Sequence, residues 1–366
     1  DYDGALSLFR DALEAYPGYV DAENNIGVVY YRKGILYEAR ERWETIAKRE
    51  PRYAVATHNL GVLAFHNRDY DKAREYFDAA LRQNRRLVES HVMLGRVALR
   101  ENATREALDH LRRAYKVNPD SPDAWNFYAF GLLQVGDTAK AVTVLGSHPD
   151  NAEALRMLGT IAGLREQYGQ AVDYFSAAVD RGGAPELLVD MASTQLDEGD
   201  YPGANASIKH YMTLAETAPV ADAYLLGGIA AKQSGDLDEA RRLFEEGVRR
   251  YPRDPILRYN LGQICFQQRD FVRAEEVWET LADTLQDPAL YYLRALNALR
   301  TGQISRAREL VTKAIGIDGK AEYYDLLGVT LYRQGDKEEA IVKFKKALRL
   351  EPNLRSAQLN LALTQQ

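Results

Sequence analysis

Cysteine is nearly absent from this sequence, and long apolar runs are missing altogether. The 366 residues include one cysteine, Cys265, so an internal disulfide is excluded. No segment approaches the roughly 18 consecutive apolar residues that a membrane-spanning helix requires. The net charge of -6 argues against a general nucleic-acid binder, which needs a predominantly basic surface.

Catalytic and metal-binding motifs are missing as well. The sequence contains no GxxxxGK(S/T) phosphate loop, no GxGxxG, no HExxH and no CxxC. The histidines are scattered; His58 and His66 share a predicted helix but lie about 12 Å apart along its axis, too far to share a metal. We therefore expect no enzyme active site, no metal and no cofactor.

Residues 321–354 show what the sequence does contain, which is a pair of short amphipathic helices. Apolar residues around Gly328 are spaced by three and four, which places them on one face of a helix. Gly335 favours the left-handed turn that ends this helix, and Asp336 suits the N-cap of the next. Such a hairpin cannot bury its own apolar face, so it needs neighbours.

The same pattern recurs along the whole chain. An alanine of the second helix returns at steps of 30 to 36 residues, and a large apolar residue follows it four positions later. These alanines are Ala5, Ala39, Ala73, Ala107, Ala141, Ala171, Ala204, Ala240, Ala274, Ala307 and Ala340. A small residue of the first helix precedes most of them by twelve positions: Gly27, Gly61, Gly95, Ala129, Gly159, Ala192, Gly228, Gly262, Ala295 and Gly328.

A helix-turn-helix unit with a period near 34 residues and this small-large-small pattern resembles the tetratricopeptide repeat. The resemblance covers essentially the whole chain. It implies an all-α fold, a right-handed α-α superhelix of about ten repeats, with a leading half repeat and a terminal partial repeat. Because both ends of the sequence match incomplete repeats, we expect the chain to be a piece of a longer protein.

One repeat is shortened. The second helix that contains Ala141 ends near Gly146, and the step to Ala171 is only 30 residues, so about one helical turn of packing surface is lost. This predicts two subarrays. The N-terminal one, residues 1–149, has the half repeat and four repeats; the C-terminal one, residues 150–366, has six repeats and the terminal helix.

Several turns between paired helices lack the usual glycine. Arg68, Asn102, Glu166 and Arg269 stand in its place. A non-glycine residue in the left-handed conformation costs roughly 1–2 kcal/mol. We therefore expect some of these turns to differ in shape.

The resemblance implies a ligand groove lined by the first helices. An asparagine lies two positions before the small residue in four units, at Asn25, Asn59, Asn260 and Asn360. This resembles the amide ladder with which superhelical members of the family hold a peptide backbone, since an amide both donates and accepts hydrogen bonds. The alternative is that Asn25 and Asn59 cap or bridge neighbouring helices.

Basic and aromatic residues accompany the first two asparagines in the same inward register. They are Tyr31, Arg32, His58, Phe65, His66, Arg96 and Arg100. They predict a groove suited to an acidic ligand within a negatively charged protein. Tyr259 and Phe266 belong to a more aromatic, less charged C-terminal stretch, where packing between repeats is an equal alternative.

The sequence thus predicts a non-enzymatic scaffold that binds a protein or peptide. The ligand of the N-terminal groove is expected to be acidic. We expect no nucleic-acid partner and no direct insertion into a membrane. Two alternatives fit the same array: the recognition arm of a larger enzyme such as a glycosyltransferase, and an assembly scaffold of a bacterial export or envelope machine. Only 13 of the 47 basic residues are lysine, which favours a bacterial source. The compartment, cytoplasmic or periplasmic, and the oligomeric state stay open.

Overall fold

All regular structure in this chain is α-helical. The computed structural model describes residues 1–215, 219–282 and 285–365. These ranges contain twenty-two α-helices and no β-strand. The predicted all-α repeat fold is confirmed, with first and second helices of successive hairpins alternating along the chain.

The first ten helices belong to one compact unit, Asp1–Leu164. They are α1 (Tyr2–Ala15), α2 (Val20–Arg32), α3 (Leu36–Arg49), α4 (Ala54–His66), α5 (Tyr70–Gln83), α6 (Val88–Arg100), α7 (Thr104–Val117), α8 (Pro122–Gln134), α9 (Thr138–Gly146) and α10 (Ala152–Leu164).

The other twelve helices belong to a second unit, Arg165–Gln366. They are α11 (Tyr168–Asp180), α12 (Leu187–Glu198), α13 (Tyr201–Ala215), α14 (Ala221–Gln233), α15 (Leu237–Arg250), α16 (Pro255–Gln267), α17 (Phe271–Ala282), α18 (Pro288–Arg300), α19 (Ile304–Ile317), α20 (Ala321–Gln334), α21 (Lys337–Leu350) and α22 (Arg355–Gln365).

The packing order within each unit places the first helices side by side. Each helix packs against the next one in the chain, as α2 does with α3 and α3 with α4. The first helices α2, α4, α6 and α8 also contact one another in succession, as do α12, α14 and α16 and, separately, α18, α20 and α22. Side chains on these helices therefore share a surface with side chains about 34 residues away in the sequence.

Aspartate caps begin many of the second helices, as predicted. The Asp336 carboxylate accepts a hydrogen bond from the backbone N–H of Glu339 at 3.2 Å, and Asp236 caps Glu239 in the same way at 3.0 Å. Gly335 ends the preceding helix with a φ of 92°. These caps satisfy backbone groups that a helix end leaves without partners.

The four turns without glycine adopt the left-handed conformation, as the glycine turns do. Arg68, Asn102, Glu166 and Arg269 have φ values of 61°, 58°, 60° and 63°. The expectation that some of these turns differ in shape is therefore wrong. The paired helices fix the turn, and the side chain there must adopt the left-handed conformation despite its cost.

The predicted small residues allow each pair of helices to cross closely. A Cβ added to Gly228 would lie 2.5 Å from the ring of Phe244, which is completely buried. Five further glycines face the large side chain sixteen positions later in the same way: Gly27, Gly61, Gly95, Gly262 and Gly328. The glycine pattern therefore recurs in the sequence because the same close steric contact recurs in these hairpins.

The shortened repeat is present in the structure. Helix α9 has 9 residues, whereas the second helices α5 and α7 have 14 each. The ring of His148, just beyond α9, stacks on Trp125 with centroids 4.8 Å apart. Contacts divide the chain after Leu164, one helix farther along than residue 149. The predicted discontinuity at the shortened helix stays a prediction.

Replacing Gly228 by alanine should destabilise the protein by roughly 1–3 kcal/mol, because the new methyl group overlaps the Phe244 ring. Thermal and urea unfolding measure the effect. Gly316→Ala is the matched control, since Gly316 also lies in a helix but an added Cβ meets no atom within 4 Å. It should stabilise slightly, because alanine favours helix over glycine. Equal effects of the two changes would contradict the proposed crossing contact.

Limited proteolysis should cut first between residues 146 and 151, because α9 is shorter than the second helices α5 and α7 and offers less packing surface there. Mass spectrometry of the earliest fragments identifies the site. Hydrogen exchange provides an independent measurement, since amides of α9 should exchange faster than those of α5 and α7. Uniform protection through this region would show that the shortened helix makes no discontinuity.

Candidate functional site

The N-terminal unit has a cavity of about 470 Å³ at the ends of three successive first helices. Five of the residues predicted to line the groove meet there: Tyr31, Phe65, His66, Arg96 and Arg100. Val62, Arg68, Tyr70 and Met93 complete the lining. The cavity combines aromatic faces with arginine side chains, as the sequence predicts for this surface.

Arg96 is held between two aromatic rings. Its Cζ lies 5.2 Å from the ring centroid of Phe65 on α4 and 4.9 Å from that of Phe127 on α8. Its Nη1 lies 3.3 Å from Met93 Sδ. Stacking on aromatic faces fixes the guanidinium plane while its N–H groups retain the capacity to bind an anion.

Two further ring contacts shape the walls. Phe65 meets Tyr70 edge-to-face, with centroids 5.5 Å apart, and Tyr31 meets His66 in the same manner at 5.8 Å. Both contacts join residues near the end of one helix to residues of a neighbouring element. The rings therefore form a rigid apolar frame around the arginines.

The arginines of this cavity are not neutralised. Among the described residues, no carboxylate lies within ion-pair distance of Arg68, Arg96 or Arg100. The acidic neighbours in the sequence are engaged elsewhere: Glu101 pairs with Arg74, and Asp69 pairs with Lys72 at 2.8 Å. The cavity therefore has an excess of positive charge in a chain whose net charge is -6.

His58 lies apart from this cavity. It is 9% exposed and its Nδ1 lies 2.9 Å from Ser90 Oγ on the next first helix. Burial lowers the pKa of His58 to about 4, so the imidazole is neutral at pH 7. His58 thus packs between repeats, a placement that the inward register of the sequence does not reveal.

The asparagines bridge repeats in two of four cases. Asn59 Nδ2 donates to Asn24 Oδ1 at 2.9 Å, and Asn360 Nδ2 donates to Asp325 Oδ1 at 2.9 Å. Both bonds span 35 residues. They are the inter-repeat bridges that the sequence allows as the alternative to a peptide ladder.

The other two asparagines lack such a partner. Asn260 Nδ2 donates to the Ile256 carbonyl of its own helix at 2.8 Å, because the position that would accept from it on the preceding first helix is Leu225. Asn25 is half-buried and its Oδ1 lies 3.5 Å from Asn24 Nδ2. Its amide N–H groups remain available to a ligand.

The remaining predicted site residues are dispersed. Phe266 lines a separate cavity of about 420 Å³ in the C-terminal unit. The Tyr259 carbonyl accepts a hydrogen bond from Trp278 Nε1 at 3.2 Å, so Tyr259 lies beside the core of its repeat. Arg32 is exposed at the end of α2 and lines neither cavity.

Five residues of the N-terminal site are missing from the sequence prediction: Val62, Arg68, Tyr70, Met93 and Phe127. Arg68 did carry a signal, since it occupies a turn position at which most repeats have glycine. Tyr70 and Phe127 follow the general apolar pattern and carry no comparable signal. Elsewhere, no group of three or more His, Cys, Asp or Glu side chains is placed to hold a metal within the described ranges, and no described helix is long and apolar enough to cross a membrane.

Comparison with known proteins agrees with the geometry. Models of the tetratricopeptide repeat match residues 1–41, 131–186 and 225–285, residues 52–120, and residues 321–354. The mitochondrial import receptor subunit TOM70 of Homo sapiens is 32% identical over 120 residues, which are 32% of this chain and 20% of that protein. A tetratricopeptide repeat-containing protein of Methanocaldococcus jannaschii is 24% identical over 277 residues, 69% of this chain and 48% of the other.

A solved structure of MamA from Desulfovibrio magneticus is 23% identical, with a TM-score of 0.44, over 46% of this chain and 96% of that one. This chain spans between about a fifth and a half of the length of the two curated relatives named above. The partners of those proteins therefore do not identify a partner here.

Replacing Asn59 by alanine should destabilise the protein by about 1 kcal/mol, because it removes the donor to Asn24, whose side chain is only 4% exposed. Asn25→Ala is the matched change on the preceding first helix and should lower the melting temperature less, because the contact that it removes, from Asn24 Nδ2 to Asn25 Oδ1, is 3.5 Å long. If Asn25 binds a peptide backbone, the same variant should weaken peptide binding. Equal destabilisation by both changes would contradict the assignment of Asn59 as the bridge.

Proposed function

The chain belongs to the tetratricopeptide repeat family, and we propose that it is a non-enzymatic scaffold that binds a protein or peptide segment on the surface of its first helices. The observation that carries this proposal is the cavity of the N-terminal unit. Its arginines have no acidic partner among the described residues, although the chain as a whole is acidic. A surface of this kind attracts a ligand of opposite charge.

The chemistry of the lining favours an acidic peptide segment. A guanidinium binds a carboxylate with two parallel hydrogen bonds, and three guanidinium groups line this cavity. The rings of Tyr31, Phe65 and Tyr70 offer apolar faces beside the charges. We infer that the ligand carries acidic side chains next to apolar ones.

The peptide backbone needs its own hydrogen-bond partners, and we propose that Asn25 and Asn59 supply them. Asn25 has free amide hydrogens, and Asn59 keeps its carbonyl oxygen after donating to Asn24. A peptide along α2 and α4 would reach both. Arg32, at the exposed end of α2, would meet such a peptide outside the cavity and influence the rate of association.

A catalytic role is a poorer fit to this lining. Arginine, aromatic and aliphatic side chains surround the cavity, and His66, its one histidine, is exposed and packs on Tyr31. Nucleophilic or acid-base catalysis needs a reactive side chain with an oriented partner. We therefore place binding, and not chemistry, at this surface.

A fluorescein-labelled peptide of alternating glutamate and phenylalanine should bind the protein, and a peptide with glutamine for glutamate should bind at least about tenfold more weakly. Arg100→Gln should lower the affinity for the glutamate peptide by about tenfold, since hydrogen bonds between charged groups contribute roughly 1.5–3 kcal/mol each. Fluorescence anisotropy at low and high salt measures both effects.

Arg82→Gln is the matched control. Arg82 is exposed near the end of α5, a second helix, and removing it changes the net charge by the same amount. It should leave the affinity unchanged. Equal affinity for the two peptides, or equal losses in the two variants, would show that the cavity does not select acidic segments.

A further inference from the structure

The N-terminal cavity has a counterpart in the C-terminal unit. The second cavity is lined by Phe266, Gln267, Arg269, Phe271 and Arg300. Counting from the small residue of each first helix, these positions are equivalent to Phe65, His66, Arg68, Tyr70 and Arg100, which lie 200 or 201 residues earlier. The two cavities therefore use the same structural positions in different repeats.

The local geometry of the two sites is nearly the same. The rings of Phe65 and Tyr70 lie 5.5 Å apart at 60°, and those of Phe266 and Phe271 lie 5.5 Å apart at 61°. The N–H of the turn arginine donates to the carbonyl of the phenylalanine three positions earlier at 3.0 Å in both. The cavities measure about 470 and 420 Å³.

The turn arginine is the most informative of these positions. Arg68 and Arg269 have φ values of 61° and 63°, a conformation that glycine adopts at the equivalent turns of other repeats, such as Gly235 and Gly335. A side chain here is strained, and the fold does not require one. Strain of this kind is concentrated at functional sites, where the side chain is needed.

The phenylalanine-arginine combination is confined to these two hairpins. At the same pair of positions the other complete hairpins have, for example, Lys232 with Gly235, or Tyr332 with Gly335. General features of the repeat therefore do not explain why these two cavities have the same phenylalanine and arginine residues. The arginine that follows one repeat later, Arg100 or Arg300, is exposed in both cavities.

Both sites also leave their arginines without acidic partners. Asp270, which follows Arg269, pairs with Arg241 at 3.0 Å and caps α17 through the N–H of Arg273 at 3.2 Å. In the described part of the chain, neither Arg269 nor Arg300 has a carboxylate within ion-pair distance. The positive charge of the second cavity is thus available to a ligand, as in the first.

We propose that Phe266, Arg269, Phe271 and Arg300 form a second binding site for an acidic peptide segment, so that each unit of the chain has one such site. This inference rests on the proposed function of the first site. The second site has two arginines where the first has three, because Leu296 occupies the position of Arg96. It also has Gln267 in place of His66. It therefore binds the same ligand more weakly and with a smaller dependence on salt.

The experiment measures the stoichiometry of binding. The labelled peptide of alternating glutamate and phenylalanine is titrated into the full chain in an isothermal titration calorimeter. We expect two binding sites of unequal affinity. Arg68→Gly should abolish or weaken the tighter one by about tenfold or more, and Arg269→Gly should do the same to the weaker one. Glycine relieves the strained turn, so neither change should lower the melting temperature.

Glu166→Gly is the matched control. Glu166 has a φ of 60° in the same kind of turn but lines neither cavity. This variant relieves the same backbone strain and should retain both binding sites. If Glu166→Gly also lost binding, the losses in the two arginine variants would be due to the changed turn backbone and not to the arginine side chains. That result would overturn the proposal.

The other outcomes separate this inference from the function on which it rests. A single site in the wild type that is lost with Arg68→Gly and unaffected by Arg269→Gly would refute the second site and leave the first intact. No binding in the wild type would refute the proposed function itself. Binding of a single-stranded oligonucleotide in place of the peptide would overturn the ligand class for both sites.

Discussion

The close contact between a first-helix glycine and a large second-helix side chain determines how six of the hairpins are built. A Cβ on Gly262 would lie 2.2 Å from Trp278 Nε1, and the indole N–H donates to the Tyr259 carbonyl at 3.2 Å. Trp43 repeats this arrangement against Gly27. Such a crossing leaves room for only one relative position of the two helices. Because these hairpins are fixed in this way, stacking them within a unit brings neighbouring first helices side by side.

Arginines on different helices of the chain differ in how they are paired. On the second helix α15, Arg249 and Arg250 pair with Glu246. Exposed pairs of this kind contribute little stability, but they neutralise the surface. On the first helices of the N-terminal unit, Arg96 and Arg100 have no carboxylate within ion-pair distance among the described residues. The net charge of the chain therefore says little about the surface on which a ligand would bind.

The turns show how repeats with similar backbones come to carry different side chains at the same position. Gly235 and Gly335 adopt the left-handed conformation at no steric cost, and Arg68 and Arg269 adopt it with a cost. All four turns end a first helix in the same way, so the backbone does not distinguish them. The turns differ in their side chains: Arg68 and Arg269 each place a guanidinium group at the edge of a cavity. This arginine is a feature of two repeats and is not part of the general repeat pattern.

The sequence alone was enough for the fold and for part of the site. The period near 34 residues, the aspartate caps and the glycine positions are properties of one hairpin, and most hairpins repeat them. Tyr31, Phe65 and Arg100 could be predicted as neighbours because the repeat register carries them to one surface. Only the tertiary structure decided that His58 is buried against Ser90 and that Asn59 bonds to Asn24. Those contacts join side chains of different hairpins. The sequence pattern of a single hairpin does not specify which side chains of the neighbouring hairpin will face it. These contacts are therefore known only once the packing of the repeats is known.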